Sequence, residues 1–326
     1  MTSPASRPIR ILMDVDTGVD DAFALLFAAL HDGVDLRGVT CVDGNVDVDQ
    51  VVANTLQVLN TAGAASVPVA RGAERPLLNE SMYARDYHGQ DGLGDLGLGP
   101  APTGPVSLHA VDFLQKTLSE SLRPLVIVAL APLTNLALLL RMYPRIESQI
   151  ERIVLMGGSI GSGNATPLAE FNVWHDPESA AIVMNADTPK TMYGLDVFYD
   201  VTVTAEQGIA LAAMEHPAAK LGGLLISHQV RAMAAREEPE LPVTLGDYGA
   251  LAALLDPDGA TIESATVSVV TTSGPARGQT VVDLGADMPA GVGDEGAAVD
   301  VVTKVDGHRY STMWLEAFGL SGTAHA

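Results

Sequence analysis

The chain has 326 residues, 47% of them hydrophobic, enough apolar material for a large core. A formal net charge of −22 repels phosphate backbones and argues against a nucleic-acid partner, and a single cysteine, Cys41, leaves no internal disulfide to form. The most apolar stretch, residues 125–140, is interrupted by Pro132, Thr134 and Asn135 and is too short to span a bilayer, and the opening MTSPASRPIR has no apolar leader pattern. The expectation is a soluble cytoplasmic protein with no membrane partner.

Residues 9–14 are a short apolar run ending in an acid, and 20–31 have helical spacing. Residues 36–42 read as a strand, 47–62 as a helix and 67–70 as a strand. After a Gly-, Asp- and Pro-rich excursion over 73–105, residues 125–130 read as a buried strand with a helix from about 133. Then follow a strand at 152–156, a helix at 177–186 introduced by Asp176 as cap and Pro177 as first helical residue, and a strand at 191–195. Residues 211–240 form a helical insertion, and strand-like runs return from about 262. Such alternation predicts βαβ units: an α/β, Rossmann-like, open and mostly parallel sheet flanked by helices, one domain over residues 1–326 with a helical insertion near the site. In such sheets ligands sit beyond the carboxyl ends of the strands, so residues that directly follow a strand carry the functional weight.

The first strand runs into Asp14-Val15-Asp16-Thr17-Gly18-Val19-Asp20-Asp21. Strand period puts Asp14 and Asp16 on one side, Gly18 permits a tight turn, and Asp20 and Asp21 fall at a helix N-terminus, where the backbone dipole favours negative charge. Four carboxylates packed together call for a neutralising hard cation, calcium or magnesium, since both take oxygen ligands. An acid-capped helix with its acids solvated is the plainer alternative. The same DxDxT opening also fits magnesium phosphatases of the haloacid-dehalogenase type. After a later strand come Gly157-Gly158, then Gly163-Asn164-Ala165-Thr166-Pro167-Leu168-Ala169-Glu170-Phe171-Asn172. Its amides and carboxylate are the groups that hydrogen-bond sugar hydroxyls, although loop and cap chemistry uses them too.

The opening DVDTGVDDA resembles the DTDPGxDDA signature of the inosine–uridine type nucleoside hydrolases, and GNATPLAEFN is similar to their GNxTPxAEFN. Further matches follow in chain order: Asp43-Gly44-Asn45, the segment from Tyr87-His88-Gly89 to Gly94, Ala131-Pro132-Leu133-Thr134-Asn135-Leu136, Leu195-Asp196-Val197, and Arg277-Gly278-Gln279-Thr280. The resemblance implies hydrolysis of the N-glycosidic bond of a small-molecule ribonucleoside to base and ribose. It implies a Ca2+ cofactor held by Asp16, Asp21, the Leu130 carbonyl and Asp247, with Asp16 as general base on the metal-bound water and Asp14 orienting the cluster. Asp20 and Asn45 would hold the 2′-hydroxyl side, Asn172 and Asp247 the 3′-hydroxyl, Asn164 and Glu170 the 5′-hydroxyl, and His88 would lie near the base. A homodimer or homotetramer and a role in purine and pyrimidine salvage come with it.

One departure stands out. Where a large subgroup has a histidine before the late aspartate, acting as leaving-group acid, this chain has Gly246. His88, Tyr248, His175 and His228 are the remaining candidates near the base, with Trp174 as a stacking candidate. The glycines at 89, 92 and 94 suit either a mobile lid or a rigid turn. Besides the phosphatase, a weakly catalytic nucleoside- or ribose-binding protein is the other competing reading.

Overall fold

Among the described residues nine strands form the central sheet, in the order β10-β9-β11-β6-β5-β4-β1-β2-β3. In chain order the strands are β1 (Ile9–Val15), β2 (Val34–Cys41), β3 (Val69–Arg71), β4 (Leu125–Ala129), β5 (Ile150–Met156), β6 (Lys190–Tyr193), β7 (Thr202–Val203), β8 (Val243–Thr244), β9 (Ala260–Val269), β10 (Thr280–Asp283) and β11 (Ala297–Val305). All pairings from β3 across to β11 are parallel, while β9 runs antiparallel to both β11 and β10. β7 and β8 form a separate two-stranded antiparallel ribbon. The computed structural model describes residues 7–235, 242–285 and 296–320.

The strand period sorts the core. Ile11, Met13 and Val15 of β1 face one hydrophobic cluster, and Leu12 faces the other. The first cluster packs β1 against helices Val19–Leu30, Val48–Thr61, Pro217–Ala235, Tyr248–Leu255 and Gly307–Ala317; Trp314 meets Phe23 edge-on at 5.4 Å and its indole N–H donates to the Phe23 carbonyl at 3.1 Å. The second lies under helices Ala110–Glu120, Thr134–Met142 and Pro177–Met184. A sheet covered on both faces explains why β1 and β4 read as unbroken apolar runs.

From β1 the chain builds outward through β2 to β3, then crosses to place β4 on the other side of β1. The order reverses between β1 and β4, so a crevice opens at their carboxyl ends. Those ends deliver Asp14, Asp16 and Leu130. The excursion over 73–105 contains only the short helix Arg85–His88, and the expected insertion over 211–240 carries the long helix Pro217–Ala235, its residues 236–240 lying outside the described residues.

Candidate active site

β1 hands the chain to a turn at Thr17-Gly18, and the helix Val19–Leu30 begins there. Asp21, in its first turn, accepts the Gly18 N–H at 2.9 Å, which ties off a helix-end donor. Its other oxygen, Oδ1, is buried without a hydrogen-bond partner. One carboxylate oxygen each of Asp20, Asp21 and Asp247 lie within 4.8 Å of one another. Asp16, buried beside Asp21, accepts the Asn45 N–H at 2.8 Å, and the Asn45 amide donates to Asp21 at 3.3 Å. Beneath them Asp14 accepts from Thr40 at 2.5 Å and from Asn135 at 2.8 Å.

Burial, reinforced by mutual repulsion, holds these acids well above the usual carboxylate range. For Asp16 the second cause is the charge of Asp21; for Asp21 and Asp247 it is that of Asp20. Burial alone lifts Asp14 to about 7 against its two hydrogen bonds. A hard divalent cation would relieve the repulsion and occupy the unpartnered Asp21 oxygen, so this donor set fits a metal ion.

Above the acids lies a cavity of about 380 Å³, within the range of small-molecule sites. Asp20, Asn45, His88, Leu130, Asn164, Glu170, Asn172 and Asp247 line it, and no Lys or Arg does among the described residues. Glu170 caps the helix Phe171–His175 by accepting from Asn172 and Val173 at 2.8 and 3.1 Å, and also holds the Gly158 N–H at 2.9 Å. Burial outweighs these three bonds and lifts its carboxyl to about 7. The Asn172 amide donates to the Leu130 and Met156 carbonyls at 3.0 and 3.2 Å, and Asn164 accepts the Phe171 N–H at 2.9 Å. The Nδ1 of His88 accepts the Val19 N–H at 3.1 Å and stands 3.7 Å from Asp20. The shorter, well-aligned contact makes Nδ1 an acceptor and puts the ring proton of the neutral imidazole on Nε2.

The family model described as inosine-uridine preferring nucleoside hydrolase matches residues 11–312. The chain belongs to that family. It is an N-glycosyl hydrolase acting on ribonucleosides. Among its relatives, a pyrimidine-specific ribonucleoside hydrolase, RihA, of Escherichia coli is 37% identical over 276 residues, covering 84% of this chain and 88% of that protein. The enzyme of the same description from Shewanella woodyi is 37% identical over 281 residues, covering 85% and 88%. A purine-preferring ribonucleoside hydrolase from Gardnerella vaginalis superposes with a TM-score of 0.87 at 29% identity over 97% of this chain and 100% of that one. A plant nucleoside hydrolase gives 0.88 at 27% identity over 95% and 99%. The phosphatase and binding-protein readings gain nothing from these likenesses. Lys190, one of four lysines, is buried elsewhere, its ammonium on the Ala186 and Thr188 carbonyls.

Within this nucleoside hydrolase the expected site residues gather at one crevice, with one difference in grouping. Asp20, one of the four clustered acids and assigned to the sugar by the family resemblance, joins Asp21 and Asp247, while Asp16 lies beside Asp21 and outside that triplet. Of the candidates for the base end, only His88 lines the cavity. Tyr248 is core, its hydroxyl on the Tyr310 carbonyl at 2.9 Å and its ring 4.7 Å from Phe27. His175 is buried against Asp43 at 3.3 Å, His228 packs against Gly94, and Trp174 packs on Phe171 at 6.2 Å. The glycine-rich segment is a cross-braced turn: Asp91 accepts from Leu93 and Asp95, and Asp95 from Gln90 and Asp91.

Phe198 and Tyr199, with Phe171, supply aromatic wall that sequence reasoning did not assign. Their signal was an aromatic doublet directly after Leu195-Asp196-Val197, beyond the carboxyl end of β6. Asp196 holds that turn by accepting from Ile160 and Gly161 at 2.7 and 3.0 Å. Gly246 has a left-handed φ of +53°, and a Cβ there would stand 2.6 Å from Phe198 Cζ and 2.9 Å from Asp20 Cβ. Phe198 fills the space a side chain at 246 would need.

Proposed function

We propose that the enzyme cleaves ribonucleosides with Ca2+ bound by Asp16, Asp21, Asp247 and the Leu130 carbonyl, and with Asp16 as general base. The observation that carries this reading is the meeting of Asp20, Asp21 and Asp247, one of them with a buried unpartnered oxygen, beneath a cavity that no Lys or Arg lines among the described residues. Departure of the base builds oxocarbenium-like positive charge on the ribose, and the carboxylates of Asp20, Glu170 and Asp247 stabilise it. Asp16, buried beside Asp21, takes the proton of the attacking water. When bound, calcium would supply Lewis-acid polarisation of that water and of the vicinal diol. Asp20 and Asn45 hold the 2′-hydroxyl, Asn172 and Asp247 the 3′-hydroxyl, and Asn164 and Glu170 the 5′-hydroxyl. His88, which lines the cavity, serves the departing base, the part that no side chain at 246 can play here. Residence in the cytoplasm, a place in nucleoside salvage and assembly as a homodimer or homotetramer belong to the same reading.

The test is a panel of uridine, cytidine, inosine, adenosine and their 2′-deoxy forms, assayed for released sugar with and without chelator. Ribose release from at least one ribonucleoside is expected, with 2′-deoxy forms poor because half of the diol is missing. Asp16→Ala is expected to lower kcat by roughly 10²–10⁴-fold, the range for a lost general base, and Asp21→Ala to abolish turnover. Full activity in chelator-stripped enzyme would overturn the metal assignment. The same panel reads out base preference, on which the pyrimidine-specific and purine-preferring relatives differ.

A further inference from the structure

Asp43 and His175 take no part in the chemistry proposed above, yet both are buried. His175 Nε2 stands 3.3 Å from Asp43 Oδ2, with each side chain 1% exposed. Asp43 Oδ1 and His175 Nδ1 have no hydrogen-bond partner. A buried pair with part of its bonding capacity unmet is a poorer filler than apolar side chains of similar volume, so packing alone does not account for it.

The contact joins two walls of the site. Asp43 opens the Asp43-Gly44-Asn45 turn after β2, whose last residue gives its N–H to Asp16 at 2.8 Å and its amide to Asp21 at 3.3 Å. Gly44 lies so near Asp16 that a Cβ there would overlap its carboxylate. His175 closes the helix Phe171–His175 on the other wall, which carries Asn172 on the Leu130 carbonyl. Its ring packs 5.5 Å from that of Phe171, which lines the cavity. Sugar and water must be held to a fraction of an ångström for catalysis, and two short loops meet that demand only if something fixes them together.

We propose that Asp43 and His175 are positioning residues: their contact clamps the 43–45 turn to the helix Phe171–His175 and so fixes Asp16 and Asn45 opposite Asn172. The inference rests on the roles proposed above for Asp16 and Asn45.

The test uses the full chain. His175→Phe keeps an aromatic ring and loses the donor, and His175→Gln restores an amide nitrogen near the Nε2 position; Asp43→Asn serves if His175→Phe does not fold. Three readouts are taken beside the melting temperature: a crystal structure, the Kd for Ca2+ by calorimetry, and kcat and KM on the preferred nucleoside. In His175→Phe the Asn45 N to Asp16 Oδ2 contact is expected to open beyond hydrogen-bond length. Ca2+ binding should weaken about tenfold and kcat fall at least about tenfold, more than KM changes, consistent with the cost of small misplacements. His175→Gln should recover most of each. The proposal is overturned if His175→Phe keeps the 2.8 Å contact, or if its activity falls only in proportion to the folded fraction. Absence of nucleoside turnover in the unmodified enzyme would sink the reaction reading alone, and the crystallographic comparison would still decide this pair.

Discussion

Gly44 has no side chain because the Asp16 carboxylate occupies the space one would fill. Gly44→Ala is therefore expected to displace the proposed general base and lower kcat/KM by about 10²-fold, the scale of a misplacement near 1 Å; ribose-release kinetics check it. Gly246 is constrained differently. Its φ of +53° costs a residue with a Cβ about 1–2 kcal/mol, and Phe198 Cζ stands only 2.6 Å from where that atom would go. Gly246→His, which would restore the histidine of the related subgroup, should thus lower stability by more than about 2 kcal/mol, read from the urea midpoint. The substitution tests base preference cleanly only together with a smaller residue at 198.

At the scale of elements, the site depends on where helices begin. Asp47 caps the helix Val48–Thr61 by accepting the Gln50 N–H at 3.1 Å, and it pairs with Arg85 of the short helix Arg85–His88 at 3.4 Å. Asp47→Ala is expected to destabilise the fold by about 1 kcal/mol, with the exposed ion pair contributing little of it. A lower denaturant midpoint with unchanged slope would confirm a loss of stability without a change of architecture. Asn54 of the same helix donates to the Thr17 and Asp91 carbonyls at 3.0 and 2.8 Å, so it braces the aspartate turn and the turn after His88 at once. The reciprocal Asp91 and Asp95 bonds brace that segment as a turn.

Over the whole molecule, the acids at the strand ends set a pH dependence. Glu170 and Asp14 each rest at about 7 in the folded chain, above their unfolded values, and Asp16, Asp21 and Asp247 are also raised. Between the unfolded and folded values the native state binds more protons, so this stability is fully present below about pH 4 and is lost as pH rises through about 7. The metal-free enzyme should melt at a lower temperature at pH 8 than at pH 5. A divalent cation should raise the melting temperature most at the higher pH, contributing about 2.7 kcal/mol at a hundredfold excess over its Kd. Scanning calorimetry at both pH values, with chelator and with calcium, checks the sign. A melting temperature that rises from pH 5 to pH 8 in chelator would contradict it. Among the described residues no helix is long and apolar enough to cross a membrane.

Much of this was legible in the letters alone. The strand and helix alternation from β1 to β6 follows from local hydrophobic period, and Asp14-Val15-Asp16-Thr17-Gly18 announces a strand end and a turn before any fold is known. The family resemblance pointed to polar residues that line the cavity, among them Asn45, Asn164, Glu170 and Asn172, but not to its aromatic wall. The helix Ala110–Glu120 escaped assignment although Val111, Leu114 and Leu118 mark its buried stripe, and the antiparallel placement of β9 was not readable from strand-like runs. Tertiary structure alone decided that Asp20 joins Asp21 and Asp247, that Phe198 takes the space over Gly246, that Tyr248 is core, and that Asp43 meets His175. Local period fixes which way a side chain points from its own element; which distant side chain it meets depends on how helices and loops settle over the sheet, and that is a property of the packed whole.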